Sequence, residues 1–320
     1  MQGFLLEIPV RSVFALEKMV VNPATLVVNE KSPRDCIKEK LDYFLSGGLQ
    51  TISFSHVNLQ CKNKIKDIVR RLESQLVTKL TFTGCSLDSV AIAMLKPVLQ
   101  NIHTIDLSFN LFGSAGAISL ARVLTNSNLV SLKIGNNQLC GVVAIRSKVY
   151  GVVDISGLEA LLQSLLTCRS LSILDLSNNY LGGFNVARTI NDESADENYG
   201  PQVIHMLKEF LTFHPSLTEV NLVGNRFSSS GSIEGLVKCI TRDSTLSSLC
   251  GRLSRRKETN VLYADASYDN TDDPVPYYDF HSCDLDASSG CFLGHELICD
   301  RKLCVLDLSD NLKVIHCCRS

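Results

Sequence analysis

The residues best suited to chemistry crowd toward the end of the chain, where His281, Cys283, Cys291, His295, Cys299 and Cys304 follow one another and His295 and Cys299 fit one helical face. A protein zinc site usually begins with a close pair of ligands, and no CxxC pair occurs, so neither a metal nor any other cofactor is expected. The 13 cysteines are odd in number, and several stand where a core residue belongs; in a reducing compartment they act as small buried hydrophobes. Phosphate-binding glycine loops, the HExxH zinc-protease pattern and nucleophile elbows each need a fixed spacing to aim their groups at one atom, and none is present. The residue types point away from an enzyme and toward binding.

A repeat supplies the frame for that binding. LVSLKIGNNQL from Leu129, LSILDLSNNYL from Leu171 and LTEVNLVGNRF from Leu217 all read L-x-x-L-x-L-x-x-N-x-L, and the same frame fits the segments that start at Leu49, Val77 and Ile102. In these six copies the first, fourth, sixth and eleventh positions are all Leu, Ile, Val or Phe, too regular for a chain only 45% apolar to produce by chance. A further copy starts at Leu303, and looser ones start at Leu246 and Val275. Starts are separated by 28, 25, 27, 42, 46, 29, 29 and 28 residues, which leaves room for a helix after each strand. The segments after Phe112 and from Gly157 carry that helical apolar face.

The ninth position is Asn in Asn110, Asn137, Asn179, Asn225 and Asn311, with Cys85 and Cys283 among the substitutes. An amide buried in a tight bend can satisfy backbone groups that have left the strand ladder, so stacked copies predict a continuous polar spine. On these motifs, over roughly residues 49–311, the chain resembles the ribonuclease-inhibitor-like class of leucine-rich repeats. The resemblance implies an α/β solenoid, a horseshoe with a parallel concave sheet and convex helices, that binds a protein partner on its concave face or on a rim. It also brings alternatives: regulation of a small GTPase, or the sensor portion of an immune-receptor-like, flagellar or ubiquitin-ligase assembly. Neither a nucleotide-binding loop nor an F-box is found beside the repeats.

In that frame the candidate concave contacts are Asp106, Phe109, Lys133, Asp175, Glu219, Asn221, Tyr277, Asp279 and Asp307, an array whose second half is mildly acidic and suits a basic partner surface. Since L-D-L-S is also ordinary usage in this class, the same aspartates read equally as scaffold. The long spacings hold insertions, Cys140 to Ser156 and Gly182 to Gly200, that emerge from neighbouring repeats on one rim. Arg146 and Lys148 in one, and Asp192, Glu193, Asp196 and Glu197 in the other, are candidate rim contacts.

Residues 1–48 read as an amino-terminal cap and 49–320 as about nine repeats, the last of which stops inside a unit and reads as truncated. A net charge of −2 gives no pull toward nucleic acid. There is no apolar run long enough to span a membrane, and the first residues, with Glu7 and no basic lead, do not form a signal peptide, so a cytoplasmic protein is expected.

Overall fold

Alternation decides which side of each strand is dry. In the computed structural model the described residues are 25–29, 50–73, 76–99, 101–145, 148–183 and 199–227, with isolated residues and short stretches between 236 and 311. Every described residue at the first, fourth, sixth and eleventh positions of the six regular copies is buried, from Ile52 and Phe54 through Leu174 and Leu176 to Leu222 and Phe227. Each such side chain contributes roughly 1.5–3 kcal/mol by leaving water. Stacked repeats share these contacts: the Phe54 and Phe82 rings, at equivalent positions, lie 5.0 Å apart and nearly parallel.

The strands are β1 (Thr25–Asn29), β2 (Thr51–Ser55), β3 (Lys79–Thr83), β4 (Thr104–Asp106), β5 (Ser131–Lys133), β8 (Ile173–Asp175) and β9 (Glu219–Asn221), and they form one seven-stranded parallel sheet in that order. An antiparallel hairpin, β6 (Val142–Ile145) and β7 (Lys148–Gly151), fills the first long spacing. A separate parallel pair, β10 (Tyr277–Asp279) and β11 (Val305–Asp307), belongs to the later copies. Register is the same at every step, with Ile52 beside Leu80, Leu80 beside Ile105, and Leu132 beside Leu174. β1 sets Leu26 beside Ile52 and Val28 beside Phe54, so the segment read as a cap contributes a strand to the sheet.

Parallel strands need a return path, and here helices supply it. They are α1 (Lys62–Leu72), α2 (Ser89–Met94), α3 (Lys96–Leu99), α4 (Gly113–Leu124), α5 (Ser156–Leu165) and α6 (Gly200–Phe213). Their apolar residues join the strand residues in one core, Ile65, Ile68, Val69 and Leu72 from α1, and Leu158, Leu161, Leu162 and Leu165 from α5. α4 and α5 approach closely at their starts because Gly157 has no side chain: a Cβ there would meet Ser114 O at 2.3 Å. Among the described residues no helix is long and apolar enough to cross a membrane.

The bend between strand and helix is held by the asparagines. Positions eight and ten are left-handed, with φ between 53° and 62° at His56, Phe109, Asn136, Asn178 and Asp310 and at Ser86, Leu111, Gln138, Tyr180 and Arg226. The ninth side chain between them turns inward. Asn137 Oδ1 accepts the N–H of Asn110 at 3.0 Å, and its Nδ2 donates to Leu107 O at 2.9 Å and Ile134 O at 3.0 Å. Asn179 repeats this on Asn137 at 2.8 Å, Asn225 on Asn179 at 2.8 Å, and Asn311 on Leu285 at 3.0 Å. Where Cys85 replaces the amide, its thiol donates to Phe54 O at 3.3 Å, keeping the link to the preceding repeat.

A second ladder joins the helix ends. The Cys168 thiol donates to Leu124 O at 3.0 Å, and one repeat later His214 Nε2 donates to Leu165 O at 3.2 Å. His214 Nδ1 accepts the N–H of Ser216 at 3.4 Å, so the buried ring is held neutral with one nitrogen in each role. Burial lowers its pKa, against the raising effect of the Leu165 carbonyl.

Two outcomes are expected. Asn179→Ala leaves the N–H of Asn137 and the carbonyls of Ile134 and Leu176 without their partner, and urea unfolding of the variant will show a loss of about 3 kcal/mol or more. His214 has a folded pKa below its ordinary value of 6.5, so the unfolded chain binds the proton first, and its stabilising effect is present above that pH and lost as pH falls through it. Urea midpoints followed from about pH 8 to about pH 5 will therefore fall more steeply in the native chain than in His214→Asn, ahead of any carboxylate titration.

Candidate functional site

Among the described residues, helices lie on one side of the seven-stranded sheet, and most side chains of its other face are half-buried or exposed. Its outward positions, the third, fifth and seventh of each repeat, carry Thr51, Ser53, Lys79, Thr81, Asp106, Lys133, Asp175, Glu219 and Asn221 among others, and most are half-buried by their neighbours in adjacent strands. Lys79 and Lys133 are exposed.

Three of the expected contacts also serve the backbone. Asp106 Oδ1 accepts the N–H of Ser108 at 3.0 Å, Asp175 Oδ1 that of Ser177 at 2.9 Å, and Asn221 Oδ1 that of Val223 at 3.1 Å. Each is a side chain bonded two residues ahead, the arrangement that closes a strand into a turn. Asp175 Oδ2 then accepts Asn221 Nδ2 at 3.0 Å, tying β8 to β9 across the open face. Lys133 stands at the same position in β5 and cannot accept, and the residue two ahead of it is Gly135, whose missing Cβ leaves space for Ser177 Oγ at 2.6 Å. Asp106 and Lys133 are opposite one another in register, as are Lys133 and Asp175.

Phe109 is not on a strand but in the bend beyond β4, left-handed and 52% exposed. Tyr277 and Asp279 lie in β10 and Asp307 in β11, with Asp279 and Asp307 in register; only their backbones are described. On the rim, the insertion after Leu139 is the β6–β7 hairpin, closed at its base by the N–H of Asp154 on Cys140 O at 3.0 Å. Lys148 begins β7, with its side chain outside the described residues, as are Arg146, Asp192, Glu193, Asp196 and Glu197 altogether.

Several exposed groups were not anticipated. Leu111 is 60% exposed at position ten, two residues from Phe109, and Tyr150 and Val152 are exposed on the hairpin and its exit. The Arg226 guanidinium lies 5.4 Å from the centre of the Tyr180 ring, a cation–π pair between position-ten residues of neighbouring repeats. The signal was available in the frame: positions eight and ten flank an inward asparagine, so their side chains turn outward.

Two buried thiols are held away from the thiolate form that reacts. Burial pushes Cys85 up to about 11 and Cys140 up to about 12. Among the described residues no three His, Cys, Asp or Glu side chains are grouped to hold a metal. Of the zinc candidates only Cys291 is described, and it is exposed; His281, Cys283, His295, Cys299 and Cys304 lie outside the described residues.

No protein-family model matches the chain, and no curated protein does. Among solved structures, actin-binding site 2 of leiomodin-1 aligns over 72% of this chain and 96% of that one, at 12% identity and a TM-score of 0.36. At that level the likeness decides nothing about this chain.

The open face separates residues that hold the sheet from residues that do not. Asp175→Ala removes the bonds to Ser177 and Asn221 and is expected to cost about 1 kcal/mol, whereas Lys133→Ala stays within about 0.5 kcal/mol of the native chain, both read from urea denaturation at neutral pH.

Proposed function

We propose that the chain is a leucine-rich-repeat solenoid of the ribonuclease-inhibitor-like kind, and that it works as a cytoplasmic scaffold which binds a protein through the open face of its sheet and the adjoining rim. One observation carries this. The repeats spend their apolar side chains on a common core and their asparagines on the backbone, leaving a row of outward side chains fixed in position by the strands beneath them. A row of that kind loses little freedom when a partner lands on it, which is the condition for specific binding by a flat or curved surface.

The thiols support the compartment. Cys85 and Cys168 act as hydrogen-bond donors in the two ladders, a role open to the reduced form alone. Lys133 supplies a charge that the scaffold does not use, and Asp175 and Glu219 set an opposite charge farther along the sheet, so partner choice rests on charge pattern as well as shape.

Photo-cross-linking tests the assignment directly. A benzophenone amino acid replaces Lys133 or Thr81 on the open face, or Arg122 or Lys208 on the exposed side of α4 and α6, in the whole chain. One protein adduct shared by the two open-face positions and missing from the two helix positions is the expected result. Adducts formed equally from the helix side would remove the open face as the binding surface.

A further inference from the structure

Two unfavourable features meet in one bend. Among the described bends, position eight is otherwise held by His56, Gly84, Asn136, Asn178, Gly224 and Asp310, residues that are small or polar. Among the described residues, only the bend after β4 places large apolar side chains at both left-handed positions, Phe109 with φ 62° and Leu111 with φ 60°. A left-handed backbone is costly for a bulky residue, which is why Gly and Asn usually hold it. The exposures of 52% and 60% show that the cost is not offset by packing within the chain. The tyrosine at the equivalent position ten of a later repeat, by contrast, is half-buried and covered by Arg226. Strain and apolar exposure concentrated in the same two residues, Phe109 and Leu111, mark a place kept for something outside the chain.

The surrounding charge says what. The exposed lysines of the first five strands flank this repeat, Lys79 on β3 and Lys133 on β5. Asp106, the acid between them, is half-buried with Oδ1 committed to Ser108, and Asp175, in register with Lys133 on its other side, is half-buried with its two oxygens committed to Ser177 and Asn221. The N–H of Phe109 donates to Gly135 O at 2.9 Å, which puts Lys133 two residues upstream of the level of Phe109 along the neighbouring strand. At about 3.3 Å per extended residue, a partner group reaching Lys133 from Phe109 is two or three residues from the one that covers the phenyl ring.

We infer that Phe109 and Leu111 form the anchor site of the scaffold, and that its occupant is an extended protein segment carrying a bulky apolar residue within three positions of an Asp or Glu that pairs with Lys133. This rests on the scaffold function proposed above and names the chemistry of the partner at that surface. The bend stores its strain in the free chain and shields its apolar groups only when the segment is bound. Binding and stability therefore respond in opposite directions to the same substitution, which a purely structural role for these residues does not produce.

The test uses the full chain and a phage library of random twelve-residue peptides, with enriched sequences resynthesised and their affinity measured by fluorescence anisotropy. Enriched peptides should share an apolar residue with an acidic one within three positions. Phe109→Asn and Leu111→Asn, suited to left-handed backbone, should each weaken binding tenfold or more while raising Tm by about 2 °C. Lys133→Glu should abolish the preference for the acid and leave Tm in place. Peptides that bind with unchanged affinity to both Asn variants overturn the anchor site and leave the scaffold function standing; failure to enrich any peptide counts against both. Sedimentation with phosphatidylserine vesicles that is lost in Phe109→Asn, without peptide binding, would assign the patch to a membrane and overturn the inference.

Discussion

Everything in this structure depends on how the chain leaves each strand. A short parallel strand that turns sharply into a helix abandons its ladder partners for several residues, and buried amide and carbonyl groups without partners cost on the order of 1–3 kcal/mol each. The repeat answers this with one asparagine per bend. Its amide has both a donor and an acceptor end, so a single side chain serves a carbonyl of its own bend, a carbonyl of the preceding repeat and an N–H of that repeat at once. A bonded column follows, in which each bend is completed by the next.

The column has a geometric condition. For the ninth side chain to turn inward, the residues on both sides take left-handed backbone, as they do from Ser86 through Arg226. That condition acts on residue choice but leaves the side chains outside, where sequence can vary. The bends are therefore the place where this fold can present chemically diverse groups at small cost when the residue is Gly, Asn or Asp, and at a real cost when it is Phe or Leu.

The core and the spine were legible because burial writes a strict spacing into the sequence: Leu132 and Ile134, or Leu174 and Leu176, cannot be exchanged for polar residues without opening the shared interior. β1 was hidden for an equally physical reason. Its frame puts Pro23 and Pro33 where the first and eleventh apolar residues belong, so only the register of Leu26 and Val28 reveals it. The helix-end ladder was hidden because Cys168 and His214 share no chemical type; what they share is a polar hydrogen aimed at the preceding repeat's last helical carbonyl, and that is a property of place.

The candidate site was harder to read because one position carries two demands. An aspartate at the fifth position of a repeat both ends its strand and faces outward, so its presence in Asp106 and Asp175 would be favoured with or without a partner. Charge on the open face is consequently weak evidence of recognition wherever the backbone also needs it. Lys133 is different, since it gives up the turn-closing bond that its counterparts make, and Phe109 and Leu111 are different again, since they accept strain and exposure together. Residues that work against their own fold's local preference are those for which the scaffold supplies no reason, and in this sheet they lie on adjacent repeats.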